Sequence, residues 1–134
     1  MALVVHKYGG SSVADAEKIK NVARRIAAVR EKGTGVVAVV SAMGDSTDEL
    51  IDLAHSVSCQ PNPRELDLLL STGELVSCTL LTMALADLGQ EAVSLTVSQA
   101  GIHTDTSHGR ARIHRVDTAR MSKELEEGRT VVVA

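Results

Sequence analysis

Aromatic residues are nearly missing from this chain: it has no Trp and no Phe, and Tyr8 stands alone among 134 residues. With no stacking platforms, a formal net charge of -3 and a pI near 5.9, it lacks both the aromatic and the basic footprint of a nucleic-acid-binding surface. Nucleic acid is therefore not an expected partner. Continuous apolar runs are short, and Leu3 to Val5 and Val36 to Val40 fall well below the roughly 18 residues needed to cross a bilayer. Met1 leads directly into a strand-like segment, without the basic start and apolar stretch of a signal peptide. A cytoplasmic location and no membrane partner are the matching expectations. Cysteine is scarce as well: Cys59 and Cys78 have no CxxC spacing and are expected to be reduced and structural. His6, His55, His103, His108 and His114 fall into no HExxH or Cys/His ligand pattern, so no metal site is expected.

What the chain does have is aliphatic: 44% of its residues are hydrophobic, enough to bury the core of one domain or of a large piece of one. Short β-branched runs alternate with longer segments of helical period, which predicts an α/β layered fold with a mainly parallel sheet. A strand at Leu3 to Lys7 leads through Gly9-Gly10-Ser11-Ser12 into a helix from about Ala14 to Lys32, with Ser12 and Asp15 as its cap and Gly33 as its stop. Val36 to Val40 reads as a strand buried on both faces. Ser46 and Glu49 form a capping-box pattern that opens a helix to about Val57, and Asn62, Pro63 and Glu65 open another. Ser71 and Glu74 repeat the spacing, so Arg64 to Leu88 is predicted as two helices broken near Thr72-Gly73, the second ending at Gly89. Strands are expected at Ala92 to Thr96, Ala111 to Val116 and Thr130 to Ala134, with a helix capped by Asp117 and ended by Gly128 before the last. In open α/β sheets ligands bind outside the carboxyl ends of the strands, and half of such a crevice is expected to be missing here.

Three segments fall where chemistry would be expected. Lys7-Tyr8-Gly9-Gly10-Ser11-Ser12 joins a strand end to a helix start and offers backbone N–H groups, hydroxyls and an ammonium to an anion. It is neither a Walker A loop nor GxGxxG, so a phosphate cradle and a plain tight turn stand as equal readings. Ser41-Ala42-Met43-Gly44-Asp45-Ser46-Thr47-Asp48 leaves the next strand, where Ser41 and Thr47 could bind a carboxylate, or Ser46 and Thr47 could simply cap a helix. Glu74 could hold an ammonium group or complete the box with Ser71. Ser98-Gln99-Ala100-Gly101 and the stretch from His103 to Arg112, basic at Arg110 and Arg112, read as surface loop.

Taken in order and spacing, residues 7 to 12, 41 to 48 and 69 to 74 resemble the amino-terminal motifs of bacterial aspartate kinases, and Ser98 to Gly101 and His108 to Arg112 look like the same family. The resemblance covers the whole chain and is nearest to the actinobacterial, lysine-pathway type. It implies the amino acid kinase fold, a three-layer α/β/α sandwich with a mainly parallel sheet, of which residues 1 to 134 would be the amino-terminal, amino-acid-binding part. It also implies transfer of the γ-phosphate of ATP, as MgATP, to the β-carboxylate of L-aspartate in lysine, threonine and methionine synthesis. On this resemblance Lys7 would be catalytic, with Lys7, Tyr8, Gly9, Gly10, Ser11 and Ser41 around the phosphate. Ser41, Asp45, Ser46, Thr47, Asp48 and Glu74 would form the aspartate pocket.

His6 departs from the Gln common in related sequences, and residues 103 to 107 diverge. The nucleotide-binding part and ACT regulatory domains of the family are expected to be absent, leaving the isolated chain inactive and prone to self-associate or to join the rest of a kinase. A short non-catalytic homologue that binds an amino acid or a full-length partner is the competing reading.

Overall fold

The valine-rich run Gly35–Val40 is the central strand, because both of its faces find apolar cover and β-branched side chains suit a doubly buried pleat. The structure is a computed structural model that describes residues 2–134. In order, the elements are β1 (Leu3–Tyr8), a 3-10 turn (Gly10–Val13), α1 (Ala16–Glu31), β2 (Gly35–Val40), α2 (Ser46–Val57), α3 (Pro63–Asp87), β3 (Ala92–Ser94), β4 (Ile102–Thr104), β5 (Ile113–Val116), α4 (Ala119–Glu126) and β6 (Thr130–Val133). Four strands pair in the order β1-β2-β6-β3, all parallel, so their carboxyl ends share one edge. β4 and β5 form a separate antiparallel hairpin with an irregularity between His103 and Thr104.

The strands' twofold alternation divides the core into two layers. Val36, Ala38, Val40 and Val132 pack with Ile19, Val22 and Ile26 of α1 and Cys78, Leu81 and Leu85 of α3. On the other face, Val37, Val131 and Val133 pack with Leu95, Ala100 and Leu125 of α4. This is the α/β/α layering expected, with helices on both faces of a mainly parallel sheet.

Two expectations are corrected. The stretch from Arg64 to Leu88 is one helix, α3, of 25 residues rather than two. Ser71 and Thr72 do not start a new helix: their hydroxyls donate to the carbonyls of Leu68 and Leu69 at 2.6 Å, within the preceding turn. Gly73 is buried, and a Cβ there would lie 3.3 Å from Ala42 Cβ and from Leu50 Cδ1, so the glycine serves close packing rather than a break. Continuous apolar runs do not reveal α3 either, because hydroxyl residues interrupt it. Its best 18-residue window has a mean hydropathy of 1.6, which makes α3 long and apolar enough by length and composition to cross a membrane, although Cys78, Leu81 and Leu85 dock it on the sheet.

Caps follow the predicted positions only in part. Asn62 accepts from the N–H groups of Arg64 and Glu65, with Pro63 at the first helical position. Asp15, not Ser12, caps α1 by accepting from Lys18 N at 2.8 Å. Asp117 accepts from Ala119 N at 3.0 Å at the start of α4.

Candidate active site at the carboxyl ends of the strands

β1 and β2 end side by side and their following turns are stitched together by backbone. Ser41 N donates to Tyr8 O at 3.1 Å and Gly44 N to Gly10 O at 3.0 Å. Gly10 permits this: a Cβ there would stand 3.0 Å from Ala42 O and 3.1 Å from Gly44 O, two backbone groups that cannot yield. At Gly9 the space where a Cβ would sit is open, so the backbone can be approached from outside the fold. α3 joins the same assembly through Ser77, a fully buried hydroxyl that donates to Ser41 O at 2.6 Å and lies 3.0 Å from Glu74 O. The three segments singled out in the sequence are therefore fastened to one another. Ser77 was not foreseen; its one sequence signal is a small residue one turn after Gly73, on the helix face that meets the loop.

The individual residues fall into different surroundings. Lys7 is exposed, the next-to-last residue of β1, on the face opposite Tyr8. Tyr8 is the buried member of this set. The side chain is in the core at 9% exposure and its hydroxyl meets His6 Nδ1 at 3.0 Å, which leaves only its main chain at the crevice. Burial raises the phenol above its usual range, and Arg25 partly offsets this. The Gly-Gly-Ser-Ser turn does not lead straight into α1 as expected; it coils into the 3-10 turn, with Ser12 N bonded to Gly9 O at 3.0 Å. The amino end of α1 is claimed by Asp15 and followed by Glu17, so it is no cradle for an anion. Ser11 and Ser12 border a hollow of about 190 Å³ shared with Lys18, Asn21 and Arg25.

At the start of α2 the simple capping reading fails. Asp45 is the N-cap residue, but no side chain caps the helix, and the main-chain bonds Ser46 N to Met43 O and Glu49 N to Asp45 O close the turn instead. Asp45, Thr47 and Asp48 are exposed and Ser46 is partly buried, so the Thr47 hydroxyl faces outward at a helix amino end. Glu74 lies mid-helix and has no box to complete. It lines a cleft of about 270 Å³ with Leu68, Ser71, Leu75, the Leu95 to Ser98 loop after β3, and Ala134 after β6. Burial raises its carboxyl above the ordinary range. Ser41 and Thr47 do not line that cleft; Ser41 is tied to α3 next to it, because the Ser77 hydroxyl reaches both Ser41 O and Glu74 O.

A parallel sheet with helices on both faces, and two backbone-locked turns at its carboxyl edge, places a ligand crevice outside the strand ends. The chain belongs to the amino acid kinase family, whose model matches residues 2–134.

Within that family it is similar to aspartokinases. It is 58% identical to the aspartokinase of Mycobacterium tuberculosis and 54% identical to aspartokinase 2 of Bacillus subtilis, in both cases over all 134 residues. It spans 32% and 33% of those two proteins, about a third of the length of the curated relatives it matches. The aspartate kinase of Synechocystis superposes with a TM-score of 0.87 at 49% identity, over 99% of this chain and 22% of that one. E. coli aspartokinase III, in complex with aspartate and ADP, gives a TM-score of 0.85 over 99% of this chain and 40% of that one, at 19% identity, a likeness of fold alone. The layered sheet thus matches part of the aspartate kinase fold.

Proposed function

We propose that this chain forms the aspartate-binding and phosphate-steering part of an aspartate kinase, which moves the γ-phosphate of ATP onto the β-carboxylate of L-aspartate to give aspartyl-4-phosphate, toward lysine, threonine and methionine. One observation supports this most: the three segments that resemble aspartate kinases are fastened together at a single sheet edge by the Gly44–Gly10, Ser41–Tyr8 and Ser77–Ser41 hydrogen bonds. Phosphoryl transfer asks the protein mainly for positioning and for charge stabilisation, and these turns are suited to both.

In this reading Lys7 opposes the charge that spreads over the transferred phosphoryl group, and the main chain at Gly9 and Gly10, with Ser11, donates around it. Ser41 and Thr47 hold the carboxylates of aspartate at the amino end of α2, where the helix dipole favours an anion. Asp45, Ser46 and Asp48 shape that turn. Glu74 receives the ammonium group; a half-buried carboxylate that lacks a cationic partner gains most from one that arrives with the substrate. ATP is the second substrate. Mg²⁺ would accompany the ATP; among the described residues no group of three His, Cys, Asp or Glu side chains is found that could hold a metal ion. The test is a coupled ADP-release assay on the protein that carries this chain, with MgATP and varied L-aspartate. Saturable, aspartate-dependent release is expected, and release that ignores aspartate but follows another acceptor would overturn the assignment.

A further inference from the structure

The antiparallel pair β4 and β5 stands apart from the main sheet, and every residue from His103 to Val116 is exposed. A two-stranded hairpin is at best marginally stable by itself. This one is stiffened at three levels. At its root Asp117 N donates to Gly101 O at 2.8 Å, and a Cβ on Gly101 would collide with Asp117 O. At the turn Asp105 Oδ1 accepts from Ser107 N at 3.0 Å and from Arg112 N at 3.3 Å, which folds residues 105 to 112 around one carboxylate. At the tip two contacts cross to α3, and both end on Asp67 Oδ2: Gly109 N donates at 2.9 Å and His108 Nδ1 lies at 3.4 Å. Arg64, one turn before Asp67, is paired with Glu65 and leaves this carboxylate to the hairpin.

Asp67 stands directly beside the Glu74 cleft. That cleft has two walls, α3 over residues 68 to 75 and the loop after β3 over residues 95 to 98. The loop wall is bonded to the root of the hairpin, because Ala100 N donates to Thr96 O at 2.8 Å and Ile102 N to Val97 O at 3.1 Å. The hairpin is thus continuous with one wall and fastened by its tip to the other. α3, loop and hairpin form a closed ring, and the cleft lies between the first two.

We infer that Asp67 is a positioning residue, which holds the two walls of the Glu74 cleft at a fixed separation by pinning the tip of the β4–β5 hairpin to α3. It does not line the cleft and acts through the hairpin and the loop. Its effect on the amino acid rests on the cleft being the aspartate site, as proposed above; the pinning itself can be read without turnover.

The test compares Asp67→Ala, which removes the acceptor, with Asp67→Asn, which keeps one for Gly109 N, in the protein that carries this chain. Trypsin reads the tip through Arg110 and Arg112, and hydrogen exchange followed by mass spectrometry reads the loop wall over residues 95 to 101. Asp67→Ala should be cut at these arginines about fivefold faster than the parent and exchange faster over residues 95 to 101, with KM for aspartate raised about fivefold and kcat within about twofold. Asp67→Asn should stay within about twofold of the parent in every readout. His108→Ala, which removes the longer contact from the hairpin side, should move the same readouts in the same direction, and it decides the matter if Asp67→Ala folds poorly. Parental cleavage and exchange would overturn the pin. Faster cleavage and exchange with an unchanged KM for aspartate would overturn the positioning role. A parent that releases no ADP in response to aspartate defeats the functional reading instead, and exchange over residues 95 to 101 then decides whether Asp67 holds the wall.

Discussion

At the scale of single residues, the sharpest signal is a carboxylate kept where the fold does not want one. Burial raises Glu74, so its ionisation opposes folding: its contribution is fully present below the ordinary carboxylate range and is lost as pH rises through the higher folded value. Glu74→Gln should therefore raise Tm modestly at neutral pH, with the gap closing toward about pH 4 as the parent is protonated. If the variant is instead less stable at pH 7, Glu74 has a structural partner that the cleft does not show. Ser77 makes the opposite prediction. Ser77→Ala removes the hydroxyl that holds Ser41 O and should cost about 1–2 kcal/mol in chemical denaturation, with weaker aspartate binding as the β2–α2 turn loosens. Unchanged stability would mean that the turn is held by its backbone bonds to β1 alone. Burial, with Glu74 nearby, pushes the Cys78 thiol up to about 11, so iodoacetamide should label Cys59 in the native chain and reach Cys78 only after unfolding. None of these environments was legible in the sequence, since each depends on neighbours far along the chain.

At the scale of elements, the sequence was informative wherever a local rule and the tertiary fold agree. β2 was legible because a continuous β-branched run is what a doubly buried strand needs, and α3 began where Asn62 and Pro63 said it would. The misreadings share one cause. Ser-x-x-Glu at Ser71 and Glu74 has capping spacing, but both residues are mid-helix, because Gly73 lets α3 run on against Ala42 and Leu50. Likewise Ser46 and Glu49 do not cap α2 with their side chains, which leaves its amino end open. β4 went unnoticed because three residues with one apolar side chain carry no period, and its partner strand alone defines it. The role of Gly10 can be tested at this scale. Gly10→Ala pushes a Cβ against two backbone carbonyls of the β2–α2 turn and should lower Tm by several degrees while abolishing turnover. A variant with parental Tm and activity would mean that the two turns are not packed as described.

At the scale of the whole molecule, the four parallel strands end at one edge, and the turns after β1 and β2 with their candidate residues leave from it, which the alternation of strands and helices had already suggested through its expected parallel sheet. The division of labour along that edge was not legible. Lys7 and the two glycines sit at the end of β1, Ser41 and Thr47 after β2, and Glu74 in a cleft closed by the loop after β3 and by Ala134. Leu3 and Val5 on the α4-facing side of the edge strand β1 are 49% and 65% exposed, so that side of β1 is uncovered in this chain. The 134 residues taken alone are accordingly expected to self-associate.

The central claim is that two groups at one sheet edge divide the reaction, with Lys7 acting on the phosphoryl group and Glu74 on the amino acid. Steady-state ADP release by Lys7→Ala and Glu74→Gln, in the protein that carries this chain, tests it directly. Lys7→Ala should lower kcat about 100-fold or more with KM for aspartate little changed, because the charge it meets is greatest in the transition state. Glu74→Gln should raise KM about tenfold or more with kcat nearly intact. If both variants keep the parental kcat and KM, or if their losses only track a fall in Tm, the assignment of this edge as the aspartate and phosphate site is wrong.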